Sequence, residues 1–86
     1  MAENKTQILT VSVRTREKVL FEGSANTVTS FNHRGKFDVL PEHTNFITLI
    51  SRYVIIDQGT DTESQLDLEK GILYVMSNHV NVYVGI

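Results

Sequence analysis

The sequence predicts an all-β protein, an antiparallel β-sandwich of about ten short strands. Three observations carry this expectation. Apolar and polar residues alternate with period two along most of the chain, as they do when successive side chains point to opposite faces of a strand. Turn signals recur roughly every eight to twelve residues, the spacing of sandwiches and barrels. No stretch of helical length repeats apolar residues at i, i+3, i+4 and i+7, and alanine, the best helix former, occurs only at Ala2 and Ala25.

The elements follow in order. In Ile8-Leu9-Thr10-Val11-Ser12-Val13, Leu9, Val11 and Val13 share one face, and Thr10 and Ser12 point the other way. Arg14-Thr15-Arg16-Glu17 interrupts, and Val19-Leu20-Phe21-Glu22 resumes before Gly23. Asn26-Thr27-Val28-Thr29-Ser30-Phe31 is rich in β-branched residues, which suit a pleated, half-buried surface. Asn32-His33-Arg34-Gly35 reads as a turn, and Lys36-Phe37-Asp38-Val39-Leu40 as a short strand stopped by Pro41, the only proline. Phe46-Ile47-Thr48-Leu49-Ile50 is nearly continuous apolar, as expected of a strand buried on both faces or of a core-crossing bend. Tyr53-Val54-Ile55-Ile56 is a further strand, ended by the polar turn Gln58-Gly59-Thr60-Asp61-Thr62. Gln65-Leu66-Asp67-Leu68-Glu69 alternates, Lys70-Gly71 breaks the run, and Ile72-Leu73-Tyr74-Val75-Met76 continues. Ser77-Asn78-His79 is a tight turn before Val80-Asn81-Val82-Tyr83-Val84, whose valines face inward.

The 86 residues are enough for one domain and not for two, so a single domain is expected over 1–86, with the polar opening 1–6 flexible. Without cysteine there is neither a disulfide nor a cysteine metal site, and stability rests on packing. The opening lacks the apolar core of a signal peptide, and no apolar run reaches the roughly 20 residues that span a bilayer. A net charge of -2 lacks the basic stripe of a nucleic-acid binder. Arg14, Arg16 and Lys18 group together, as do Arg34 and Lys36, and acidic residues gather at Asp57, Asp61, Glu63, Asp67 and Glu69.

Chemistry finds little footing. His33, His43 and His79 match no metal-ligand spacing, and His33 and His79 fall in turns, where polar residues are ordinary. None of Ser12, Ser24, Ser30, Ser51 and Ser77 sits in a Gly-x-Ser-x-Gly elbow, and no glycines have the spacing of a phosphate loop. Asp67 and Glu69 share a strand face, a pair that can act as acid and base but that exposed strands carry for solubility. Neither catalytic residue nor cofactor is expected. The stretch around Pro41 differs. Proline fixes φ and lacks an N–H, so it ends strand pairing and stiffens a loop. That loop either presents Glu42 and His43 for docking, or Pro41 only shapes a corner that His43 caps.

Three segments in register resemble the N-terminal domain of the epsilon subunit of F-type ATP synthase, called delta in mitochondria. The first runs from Leu9-Thr10-Val11-Ser12-Val13 through Val19-Leu20-Phe21-Glu22-Gly23. The second, Gly35-Lys36-Phe37-Asp38-Val39-Leu40-Pro41-Glu42-His43, is similar to the family's Gly-Glu-Phe-Gly-Val-Leu-Pro-Gly-His. The third, Leu66-Asp67-Leu68-Glu69-Lys70-Gly71-Ile72-Leu73-Tyr74-Val75, resembles the family's Gly-Gly-x-Leu-Glu-Val stretch. The chain departs from the family where Asp38 and Glu42 replace glycine, so positive φ is expected to be avoided there. Lys36 replaces an acid, Thr44 and Asn45 replace alanine and proline, and Lys70 replaces the first glycine of a pair.

The resemblance implies a ten-stranded sandwich without catalytic role at the foot of a central stalk. Such a domain binds the gamma subunit and the rotor ring and couples proton flow to ATP synthesis. It implies an interface at Arg34, Lys36, Asp38, Pro41, Glu42, His43 and Thr44. It also implies a cytoplasmic position peripheral to the energy-coupling membrane, with no membrane insertion, no nucleic-acid partner and a monomer when isolated. The family continues into a helical hairpin beyond the point where these residues end. No hairpin is therefore expected, and the inhibition and ATP binding attached to it do not carry over. The rival expectation is a free-standing β-sandwich binding module, favoured by the departures at Lys36, Asp38 and Glu42.

Overall fold

The computed structural model describes residues 8–85, so the flexibility expected of 1–6 lies outside the described residues. Alternation becomes strand wherever it was expected: β1 (Leu9–Arg14), β2 (Val19–Ala25), β3 (Val28–Asn32), β4 (Gly35–Val39), β5 (Phe46–Ile56), β6 (Ser64–Met76) and β7 (His79–Val84). They form one seven-stranded sheet in the order β2-β1-β7-β6-β5-β3-β4, and no helix occurs among the described residues.

The strand count is lower than about ten because two pairs of expected strands are continuous. β5 joins the segments read on either side of Ser51, and β6 runs through Lys70 and Gly71. Both bend instead of breaking. Arg52 takes φ 77, and the register of β5 slips there against both β3 and β6. Slips of this kind sharpen the twist and let a sheet turn a corner. One pairing also departs from the antiparallel expectation: β1 and β7 run parallel, with Val11 opposite Val80 and Val13 opposite Val82. A parallel neighbour needs a crossover, and here the whole span between the two strands supplies it.

The coiling follows from the core. Leu9, Val11 and Val13 of β1 pack in one cluster with Val28, Val39, Val54, Ile56, Leu73, Val75, Val80 and Val82. The two ends of a flat sheet of this order would stand about 29 Å apart at about 4.8 Å per strand, too far to share a core. The sheet therefore folds over on itself into two layers. β1 follows its predicted parity, with Leu9, Val11 and Val13 fully buried and Thr10 exposed.

One buried carboxylate ties the turns together. Asp57, at the end of β5, adopts φ 54. Its Oδ1 accepts the backbone N–H groups of Asn26 (2.6 Å) and Thr27 (3.2 Å), and its Oδ2 the Thr62 hydroxyl (2.9 Å). Burial disfavours the charge, but these bonds outweigh it and hold the carboxyl below its ordinary pKa.

Candidate docking surface

The predicted interface residues are held by local turn chemistry. In the β3–β4 hairpin, Asn32 faces Gly35 across His33 and Arg34, and Gly35 takes φ 115, which favours glycine. The Arg34 N–H donates to Asn32 Oδ1 at 2.9 Å, leaving the guanidinium side chain exposed at the tip. Lys36 and Asp38 point outward from β4. Asp38 is anchored there, because its Oδ1 accepts the hydroxyl of buried Thr29, its cross-strand partner, at 2.6 Å.

Beyond β4, Leu40-Pro41-Glu42-His43 is a type II turn. The His43 N–H donates to Leu40 O at 3.1 Å, proline occupies the second position, and Glu42 takes φ 68 in the third. The positive φ expected to be lost with the family glycine is thus retained at Glu42, because the turn demands it; Asp38 lies in ordinary strand conformation. The loop is clamped to the β6–β7 turn. Glu42 N–H donates to Asn78 Oδ1 at 2.6 Å, and Ser77 N–H donates to Asn45 Oδ1 at 3.0 Å. Ser77 and Asn78 both have positive φ, 49 and 66, the mark of a type I′ hairpin. The His43 ring lies 4.9 Å from the Phe46 ring, which meets Phe37 edge-on at 6.0 Å. His43 Nδ1–H donates to Thr44 O at 2.7 Å.

The seven predicted residues do not form one patch. Arg34 and Lys36 lie at one end of β4 and Pro41, Glu42, His43 and Thr44 beyond the other, about 17 Å apart at about 3.4 Å per residue. Between the loop and the hairpin runs a feature that the sequence pattern does not reveal. Ile47 (70% exposed), Leu49 (68%) and Met76 (55%) form an apolar row with Ile72, Tyr74 and Tyr83. Ile47 pairs with Tyr74, Leu49 with Ile72, and Ile72 with Tyr83, so the row crosses β5, β6 and β7 on one face. Tyr74 and Tyr83 stack at 6.4 Å. At one end, Ile47 shares a shallow groove with Asn45 of the loop; at the other, Leu49 shares one with Phe31 and His33 of the hairpin. The first half of β5 is thus not buried on both faces. Arg52, whose guanidinium lies 4.0 Å over the Phe31 ring, adds a cation beside the hairpin.

Among the described residues, no three His, Asp or Glu side chains gather to hold a metal ion. The surface presents apolar area and fixed charge, the means of recognition by contact. A sequence profile of the ATP synthase delta/epsilon chain β-sandwich domain matches residues 8–85. The chain belongs to that family. It is 31% identical over 72 residues to the ATP synthase epsilon chain of Endomicrobium trichonymphae, covering 84% of this chain and 52% of the relative. Its fold matches a chain in the Euglena gracilis mitochondrial ATP synthase structure containing OSCP, F1 and the c-ring. The TM-score is 0.82 at 12% identity, over 95% of this chain and 53% of that one. It also matches a chain of the central stalk and c-ring structure from Tetrahymena thermophila mitochondrial ATP synthase (TM-score 0.73, 14% identity, 96% of this chain and 67% of that one). The chain spans about half the length of the epsilon chain it matches. Within this delta/epsilon-type sandwich, the Leu40-Pro41-Glu42-His43 turn places a glutamate at its positive-φ position.

Proposed function

We propose that the chain is the sandwich domain of a central-stalk subunit of an F-type ATP synthase. It docks on the gamma subunit and the rotor ring and couples proton transport to ATP synthesis by contact, with no catalysis of its own. The docked domain sits beside the energy-coupling membrane; no helix among the described residues is long and apolar enough to cross one.

The observation that carries this reading is the exposed apolar row on a domain whose family profile covers 8–85. Magnitudes favour the row as the source of affinity. Fully burying a Leu, Ile or Met side chain is worth about 1.5–3 kcal/mol. An exposed ion pair is worth about 0–1 kcal/mol. Ile47, Leu49 and Met76 therefore supply binding energy, and Arg34, Lys36, Asp38, Pro41, Glu42, His43 and Thr44 set orientation at its two ends.

The test is capture of gamma and rotor ring from the same source by the chain. Ile47→Asp with Leu49→Asp should abolish capture while the far-ultraviolet spectrum stays unchanged, and alanine at Pro41, Glu42 or His43 should weaken it. Capture that is absent in the natural chain, or indifferent to the paired aspartates, overturns the reading.

A further inference from the structure

Among the described residues, β4 ends the sheet and pairs with β3 alone. The phase of its open edge can be read from its neighbours. Asp57 N–H donates to Thr27 O at 2.9 Å, so the odd positions Thr27 and Thr29 turn their backbone groups toward β5 and the even positions Val28 and Ser30 toward β4. Their partners on β4 are Val39 and Phe37. Lys36 and Asp38 consequently turn their N–H and C=O groups away from the sheet. The two-residue loop between Asn32 and Gly35 gives the same phase.

An added antiparallel strand must set its own outward-turned residues opposite these two. For a second copy related by a two-fold axis, a register centred on Lys36 opposes lysine to lysine, and one centred on Asp38 opposes aspartate to aspartate. Like charges directly opposite destabilise a pair. The register centred on Phe37 alone opposes Lys36 of each copy to Asp38 of the other, twice by symmetry, with Phe37 against Phe37. Both charged side chains are exposed, and the bond from Thr29 already holds Asp38 in place. The strand has no bulge against β3 and no proline, two of the devices that blunt an edge, and its charges, Lys36 and Asp38, repel a copy in every other two-fold register but complement one centred on Phe37.

We propose that the β4 edge is a self-association site, at which two copies pair antiparallel about Phe37 and join their sheets. This departs from the monomer expected from the resemblance. It stands whether or not the chain docks on a synthase, and pairing covers Lys36 and Asp38. A single edge strand buries well under about 1,200 Å², so the dimer is weak and reversible.

Sedimentation velocity on the 86-residue chain at low salt, from about 10 μM to about 1 mM, tests it. A concentration-dependent dimer is expected. K36E makes the edge acidic and D38K makes it basic, so each alone should dimerise at least about tenfold more weakly. Mixed together, the two variants should form a heterodimer at least as tight as the natural dimer. A chain that stays monomeric throughout, a dimer that K36E leaves intact, a dimer broken instead by Ile47→Asp, or mixed variants that ignore each other would each overturn the proposal.

Discussion

Asn78 Oδ1 accepts the backbone N–H of Glu42 at 2.6 Å, across 36 positions of sequence. This bond fastens the loop after β4 to the turn between β6 and β7, and the bond from Ser77 N–H to Asn45 Oδ1 doubles it. Asn78 also sits at φ 66, where asparagine and glycine are tolerated and other residues are strained. Two variants separate these roles. Asn78→Gly keeps the conformation and loses the bond, and should cost about 1–2 kcal/mol in urea unfolding. Asn78→Ala loses both and should cost about 1 kcal/mol more. Equal costs would mean that the backbone conformation contributes nothing.

Glu42 occupies the third position of the Leu40-Pro41-Glu42-His43 turn at φ 68. A non-glycine residue there bears about 1–2 kcal/mol of strain. Glycine removes it but adds about 0.5–1 kcal/mol of chain entropy to be lost on folding. Glu42→Gly should therefore raise stability by about 0.5–1 kcal/mol and lift the Tm by a few degrees. A lower Tm would show that the glutamate side chain has a stabilising contact.

Local pattern exposed most of this fold and little of its surface. The parity of β1 and the alternation of β7 were readable because burial on one face leaves a period of two in the residues. The parallel pairing of β1 with β7 was not, since a pairing between distant segments leaves no local mark. The sequence splits β5 and β6 into two strands each, because Ser51-Arg52 and Lys70-Gly71 look like breaks although both strands continue through them. The exposure of Ile47 and Leu49 was hidden because Phe46-Ile47-Thr48-Leu49-Ile50 is apolar on both parities. Pro41 and the turn after it were legible. The clamp on that turn depends on Asn45 and Asn78, whose partners lie 32 and 36 positions away.

Gly71 shows why one apparent break lies inside a continuous strand. A Cβ there would stand 2.6 Å from the Tyr83 carbonyl oxygen, so only glycine lets β6 and β7 approach this closely. The obstructing atom is backbone and cannot rotate aside. Gly71→Ala should cost about 2–3 kcal/mol in chemical denaturation, as overpacking of a filled interior does. Gly59→Ala, in an open turn with nothing within 4 Å, meets only the strain of its φ of 81, about 1–2 kcal/mol. A Gly71 variant no less stable than the Gly59 variant would show that β7 yields at Tyr83.

Asp57 makes the fold sensitive to acid. Its charged form accepts Asn26 N–H, Thr27 N–H and the Thr62 hydroxyl, and those bonds outweigh the cost of burial, so the folded carboxyl has a lower pKa than the unfolded one. Protons then bind the unfolded chain more readily, and acid favours unfolding. The contribution of Asp57 is complete above the unfolded value of about 3.9 and is lost as the pH falls through the folded value beneath it. Asp57→Asn keeps an oxygen for the two backbone donors and loses the charge. It should lower stability at pH 7 by about 1–3 kcal/mol. The gap between the two proteins should narrow as the pH is taken below about 4. Urea midpoints measured from pH 7 to pH 3 provide the check: a gap that stays constant across that range would mean that the Asp57 charge contributes nothing, and that its oxygens act only as neutral acceptors would.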